Sequence, residues 1–225
     1  MVGENNNRLK ALQEAWDGLG FELIDKIKAA SKIAIISSRS DLVEPLVKLI
    51  TLHTRSFIHV LSAVDASDIV QGSIIRSDEL RMPISRPRMV MEADFVIVIA
   101  PMPSNVKTRT EFSIEHFLFN TWFAPSRYYG GEFVRNHDPW LEGDLRNMVL
   151  ADLYSQKIVN LALLDGVNTN QILASFDPIA LDTVGMRMMG IDSSEANYLW
   201  FLAGQGLGTN VLSKIDVPLN IISSF

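Results

Sequence analysis

The sequence predicts an α/β fold, a three-layer sandwich with a mostly parallel central sheet and a long excursion forming a cleft. Two apolar runs carry most of that prediction: Phe95 to Ala100 (F-V-I-V-I-A) and Ile158 to Leu164 (I-V-N-L-A-L-L). Both are continuous rather than alternating, the pattern of strands covered by helices on both faces. The third observation is the stretch L-A-S-F-D-P-I-A-L-D-T-V-G-M-R-M-M-G, residues 173–190. It reads as a strand end, a capped helix start and a helix stop. Asp177 suits the cap, Pro178 takes the first helical position where its missing N–H costs nothing, and Gly190 suits a left-handed stop.

The remaining elements follow in chain order. Leu9, Leu12, Trp16 and Leu19 fall at helical spacing, and Phe21, Ile24 and Ile27 continue it after a break at Gly20. Residues 32–36 form a short β-branched run, followed by a helical segment over 42–52 with Ser40 or Asp41 as its cap. Residues 57–61 are a second strand candidate, and residues 64–89 are turn-rich with no order legible in them. Between the two apolar runs lie 101–157, far more chain than a crossover needs. This excursion holds an apolar helix (about 111–123), an aromatic and glycine loop (128–140) and an amphipathic helix (about 141–155). A helix near 194–203 precedes G-Q-G-L-G, and Ile215 with Val217 suggests a closing strand. Because those glycines follow a helix, they read as a helix stop rather than a phosphate loop. The division expected is a helical segment, 1–30, and one α/β domain, 31–225, with its excursion at 101–157.

Composition narrows the function. Of 225 residues, 48% are hydrophobic and 20% charged, enough to build a core. Lys and Arg number 20 against 26 Asp and Glu, a net charge of −6 with no basic stripe, which argues against nucleic-acid binding as the main activity. The longest apolar run, 95–102, is far short of the roughly 20 residues of a spanning helix, so no membrane role is expected. The polar N-terminus has no signal pattern, and a cytoplasmic location is the expectation. The absence of cysteine excludes disulfides, thiol nucleophiles, thiolate zinc sites and any iron–sulfur cluster ligated by cysteine.

Candidate site residues cluster where the excursion begins and where the second run ends. Lys107 and Arg109 follow shortly after a strand's carboxyl end and could hold a carboxylate or phosphate, against the alternative of a solvated loop. Asn120 is a substrate-binding candidate that helix capping explains equally well. His116 and His59 suit core and strand positions. Arg135, His137 and Asp138 bring a cation, a base and a carboxylate together, although metal-binding His spacing is absent. Asp165, before Gly166, stands at a strand end where acids bind a metal, a ribose or a catalytic partner; a tight turn is the alternative. Asp182 shares a helix face with Ile179 and Met186, and so turns inward, where it needs a partner such as an Arg or Lys of the excursion.

Several of these residues carry a family resemblance. Over residues 93–217 the chain resembles the domain-of-unknown-function family 362. The shared features are Asp94 with F-V-I-V-I, Lys107-Thr108, Asn120, His137, Asp165-Gly166, the S-F-D-P-I-A-L-D segment from Ser175 to Asp182, and Gly206-Leu207-Gly208. Arg109 stands where the family tends to have His, and Phe119 where its Lys precedes Asn. The resemblance implies altered or lost activity wherever those side chains act. Family members often carry a ferredoxin-like cluster domain, whose cysteines are absent here.

Two functional readings follow. One is an enzyme, or an enzyme relic, acting on a small anionic metabolite: Lys107 and Arg109 bind the anion, His137 moves a proton, and Asp165 and Asp182 orient it or hold a divalent metal. This reading requires Lys107, His137, Asp165 and Asp182 to converge on one pocket. The other is a non-catalytic module for a metabolite or a protein partner, such as a redox subunit, docked on Trp122, Phe123, Tyr128, Tyr129 and Trp140. A homo-oligomer is compatible with either.

Overall fold

The computed structural model describes residues 2–37, 40–61, 69–74, 82–102, 112–121, 143–166, 171–192 and 196–216. A five-stranded mixed sheet forms the centre, with helices packed on both faces. Helix α1 (Val2–Ala29) leads into β1 (Lys32–Ser37), α2 (Ser40–Thr51) and β2 (Phe57–Leu61). A hairpin of β3 (Ile69–Ile74) and β4 (Met82–Pro87) follows, then α3 (Arg88–Glu92) and β5 (Phe95–Pro101). The excursion contributes α4 (Ser113–Thr121) and α5 (Gly143–Gln156) before β6 (Leu161–Gly166) and β7 (Gln171–Ser175). Helices α6 (Pro178–Met188) and α7 (Asn197–Gly204) and a 3₁₀ turn at Leu212–Lys214 complete the described chain.

Strand order is β2-β1-β5-β6-β7; the first four are parallel and β7 is antiparallel to β6. Burial explains the composition of the strands. Every residue of β1 after Lys32, all of β6, and β5 up to Ala100 are buried. Alternate residues serve two different cores. Ala34, Ile36, Val96, Val98, Ala162 and Leu164 pack with α4 to α7. Ile33, Ile35, Ile97, Ile99, Leu161 and Leu163 pack with α1 and α2. Helix α1 is therefore part of a sheet-covering layer: Leu12, Trp16, Leu23 and Ile27 are buried in the same cluster as β1. Its break falls at Gly20, whose φ of 59° and ψ of −147° are non-helical.

Several expectations shift in detail. The second apolar run enters the sheet at Leu161, and Ile158 stays 41% exposed. The turn-rich stretch contains the two-stranded hairpin, anchored by buried Arg86, which donates to the Leu153 carbonyl of α5 at 2.5 Å. Burial lowers the Arg86 guanidinium to about 10. Ser40 and Asp41 lie inside the first turn of α2 rather than ahead of it. Ile215 follows a 3₁₀ turn instead of entering a strand, and Val217 lies outside the described residues. Two helices do end as the glycines suggest. Gly190 (φ 69°) and Gly206 (φ 76°) sit just past α6 and α7. The next N–H in each case, of Ile191 and Leu207, reaches back to the carbonyl of Met186 and of Leu202.

Candidate functional site at the carboxyl edge of the sheet

The strand order reverses once at β1. From β1 the chain moves through α2 to β2 on one side, then returns to place β5 on the other side of β1. Connections diverge at that reversal, and ligands in open α/β sheets bind outside the carboxyl ends of the strands there. The groups at this edge include, among the described residues, Ser37 ending β1, Asp41 in the first turn of α2, Pro101 ending β5 and Asp165 near the end of β6. Pro101 and Asp165 are register partners, and the Met102 N–H donates to the Asp165 carbonyl at 2.7 Å.

Asp165 follows the parity of Leu161 and Leu163, so it faces the α1–α2 layer, and its side chain is 1% exposed. A carboxylate so buried requires a cation or strong donors. Arg8 of α1 supplies one: its Nη2 donates to Asp165 Oδ2 and its Nη1 to Asp41 Oδ2. The guanidinium thus bridges the helix that follows β1 and the carboxyl end of β6, with β5 between the two strands in the sheet. Sequence reasoning missed Arg8 because its partners lie 33 and 157 residues away. Nothing local marks an arginine in a polar N-terminal stretch for such a role.

Asp182 is placed elsewhere. It is fully buried in α6, in the core on the other face of the sheet. Its Oδ1 accepts from the Ser113 N–H at 2.9 Å and the Ser113 hydroxyl at 2.5 Å, and its Oδ2 accepts from the Ile114 N–H at 3.0 Å. These are free donors of the first turn of α4, so Asp182 caps a helix that is remote in sequence. The expected Arg or Lys partner is replaced, among the described residues, by backbone and hydroxyl donors of the excursion. Burial pushes the Asp182 carboxyl up to about 7, opposed by the Ser113 and Ile114 hydrogen bonds and reinforced by Glu115.

The other motif acids hold backbone in the same way. Asp177 caps α6 through the Ala180 N–H at 3.0 Å, and its second oxygen accepts the Thr209 N–H at 2.8 Å. A Cβ on Gly208 would stand 2.2 Å from Asp177 Oδ1, so the glycine turn and the Asp-Pro entrance require each other. Asp94 Oδ2 accepts from the Ser31 N–H, the Ser31 hydroxyl and the Lys32 N–H at the opposite edge of the sheet. Those bonds hold the Asp94 carboxyl below the usual carboxylate range.

The structure therefore does not bring Asp165 and Asp182 together; they lie on opposite faces of the sheet. His116 is buried within α4, and His59 is a half-buried residue of β2. Asn120 falls in the last turn of α4, its side chain outside the described set. Lys107, Arg109, Arg135, His137 and Asp138 lie outside the described residues, as do Trp122, Phe123, Tyr128, Tyr129 and Trp140. Among the described residues no group of three or more His, Asp or Glu side chains is arranged to hold a metal ion, and no helix is long and apolar enough to cross a membrane. Comparisons with protein-family models and with curated proteins find no match.

Proposed function

We propose that this chain binds a small anionic metabolite at the carboxyl edge of its parallel sheet, between the segments that follow β1, β5 and β6, and that it does so as a binding module. The observation that carries the reading is Asp165: a buried acid at the end of β6, on the edge where the strand order reverses, already engaged by an arginine from outside the sheet. Lys107 and Arg109, six and eight residues beyond Pro101, supply the anion-binding charge, and the excursion supplies the wall of the cleft. The resemblance to the domain-of-unknown-function family 362 belongs to this proposal, as does a cytoplasmic location.

Binding is favoured over catalysis by the position of Asp182. An active site using Asp165 and Asp182 together needs them on one face, and Asp182 has both oxygens engaged in holding α4. Native mass spectrometry with metal analysis of freshly purified protein tests the reading. Retention of an anion by the wild type, lost in Lys107→Ala/Arg109→Ala, is the expected result. A wild-type mass matching the bare chain, with no thermal stabilisation by any member of a panel of carboxylates and phosphates, contradicts it.

A further inference from the structure

Strand β2 ends the five-stranded sheet, and β1 is its strand partner among the described residues. One bond fixes the direction of its backbone groups. The Phe57 N–H donates to the Ser31 carbonyl at 3.0 Å, so Phe57, His59 and Leu61 turn their N–H and C=O groups to β1. Lys32 agrees with that alternation, since its carbonyl accepts from the Asp94 N–H on the β5 side. Ile58 and Val60 therefore aim their backbone donors and acceptors at the outer side of the sheet. Natural edge strands resist pairing through charges, a proline or a bulge. The strand F-I-H-V-L has no charged residue and no proline. Its side chains are unevenly covered. Ile58 and Val60 pack partly against the α1–α2 core, and Leu61 joins the core on the other face. Phe57 shares the parity of Leu61 yet is 59% exposed, and Leu52, just beyond α2, is 76% exposed.

We infer that β2 pairs antiparallel with β2 of a second copy of this chain, joining the two sheets across a twofold axis at His59. An interface between identical patches has to be self-complementary. This strand meets that condition. In the register centred on its middle residue, Ile58 faces the partner's Val60, and Val60 the partner's Ile58, as hydrogen-bonded pairs. The outward backbone groups of both strands are then satisfied reciprocally. His59 faces the partner's His59 as a non-hydrogen-bonded pair, with no charge of either strand opposed. Phe57 falls opposite the partner's Leu61, which gives its exposed ring an apolar neighbour. Any other register leaves part of each strand unpaired. The pairing does not depend on ligand binding at the carboxyl edge.

Light scattering on the full chain across a concentration series tests the pairing. The expected mass approaches twice that of one chain and falls to that of one chain on dilution. Ile58→Pro removes an outward N–H while leaving the bonds to β1 in place, and should abolish the dimer. His59→Lys, a milder change, sets two ammonium groups opposite each other at the axis and should raise the dissociation constant about fivefold at low salt. The absence of cysteine lets the register be read directly. Facing residues at the axis stand about 4.5 Å apart at Cα, within disulfide reach. The two copies of Phe57 are offset by four residues, about 13 Å along the strands. Under diamide, His59→Cys should therefore cross-link at least about tenfold faster than Phe57→Cys, although Phe57 is the more exposed position. A single-chain mass for the wild type at every concentration overturns the proposal. So does a dimer that folded Ile58→Pro and His59→Lys leave undiminished, or equal cross-linking of the two thiols.

Discussion

Replacing Asp182 asks whether the buried motif acid is a part of the scaffold. In Asp182→Ala, the Ser113 and Ile114 N–H groups and the Ser113 hydroxyl lose their acceptor at a site with 0% exposure. A buried donor left unpaired costs about 1–3 kcal/mol, and losses within one network add incompletely, so a total near 3–5 kcal/mol is expected. Asp182→Asn keeps an oxygen for Ser113 but turns its amide toward the Ile114 N–H, for about 1–3 kcal/mol. The pH dependence has a definite sign. Burial raises the carboxyl from 3.8 to about 7, so the folded chain keeps this proton after the unfolded chain has released it. The contribution to stability is full below about pH 4 and is lost as pH rises toward about 7, a change of at most about 4 kcal/mol. Asparagine does not titrate, so the deficit of Asp182→Asn relative to wild type should narrow across that window. Urea unfolding followed by tryptophan fluorescence at about pH 5 and about pH 8 reads both effects. An alanine variant within about 0.5 kcal/mol of wild type at both values refutes the capping role.

Other variants probe the remaining contacts. Gly208→Ala should destabilise by about 1–3 kcal/mol through the clash with Asp177, measured by the same unfolding assay, and no other glycine of that turn should respond through this acid. Asp94→Asn should lower the unfolding midpoint at neutral pH and flatten the loss of stability on acidification, since the hydrogen bonds that hold the wild-type carboxyl low favour its ionised form. A double-mutant cycle of Arg8→Met and Asp165→Asn should give a coupling of about 1–3 kcal/mol, with either single change the more damaging because it strands the other partner. Additivity of the two would mean that the ion pair contributes nothing.

Much of the layered architecture is legible from local pattern. Buried parallel strands need apolar residues on both faces, and F-V-I-V-I-A says so without reference to any partner. Asp177 with Pro178, and Gly190 and Gly206, encode helix boundaries through conformations fixed within a few residues. What stayed hidden depends on distant pairing. The hairpin of β3 and β4 is fixed partly by Arg86 reaching α5, and the antiparallel sense of β7 only by its register with β6. Asp182 looked chemically unusual because an acid on an apolar helix face serves no purpose within that helix. Its purpose is in α4, 68 and 69 residues earlier. The same reasoning separates it from Asp165, whose place at a strand's carboxyl end was readable but whose bond to Arg8 was not.

The proposed ligand-binding role of the carboxyl edge and the scaffold role of Asp182 are separated most directly by native mass spectrometry of Lys107→Ala/Arg109→Ala and Asp182→Asn side by side. Lys107→Ala/Arg109→Ala is expected to lose the anion retained by wild type, and folded Asp182→Asn to keep it despite its lower stability. An Asp182→Asn protein that folds but has lost the anion, alongside a Lys107→Ala/Arg109→Ala protein that retains it, would contradict this division of roles.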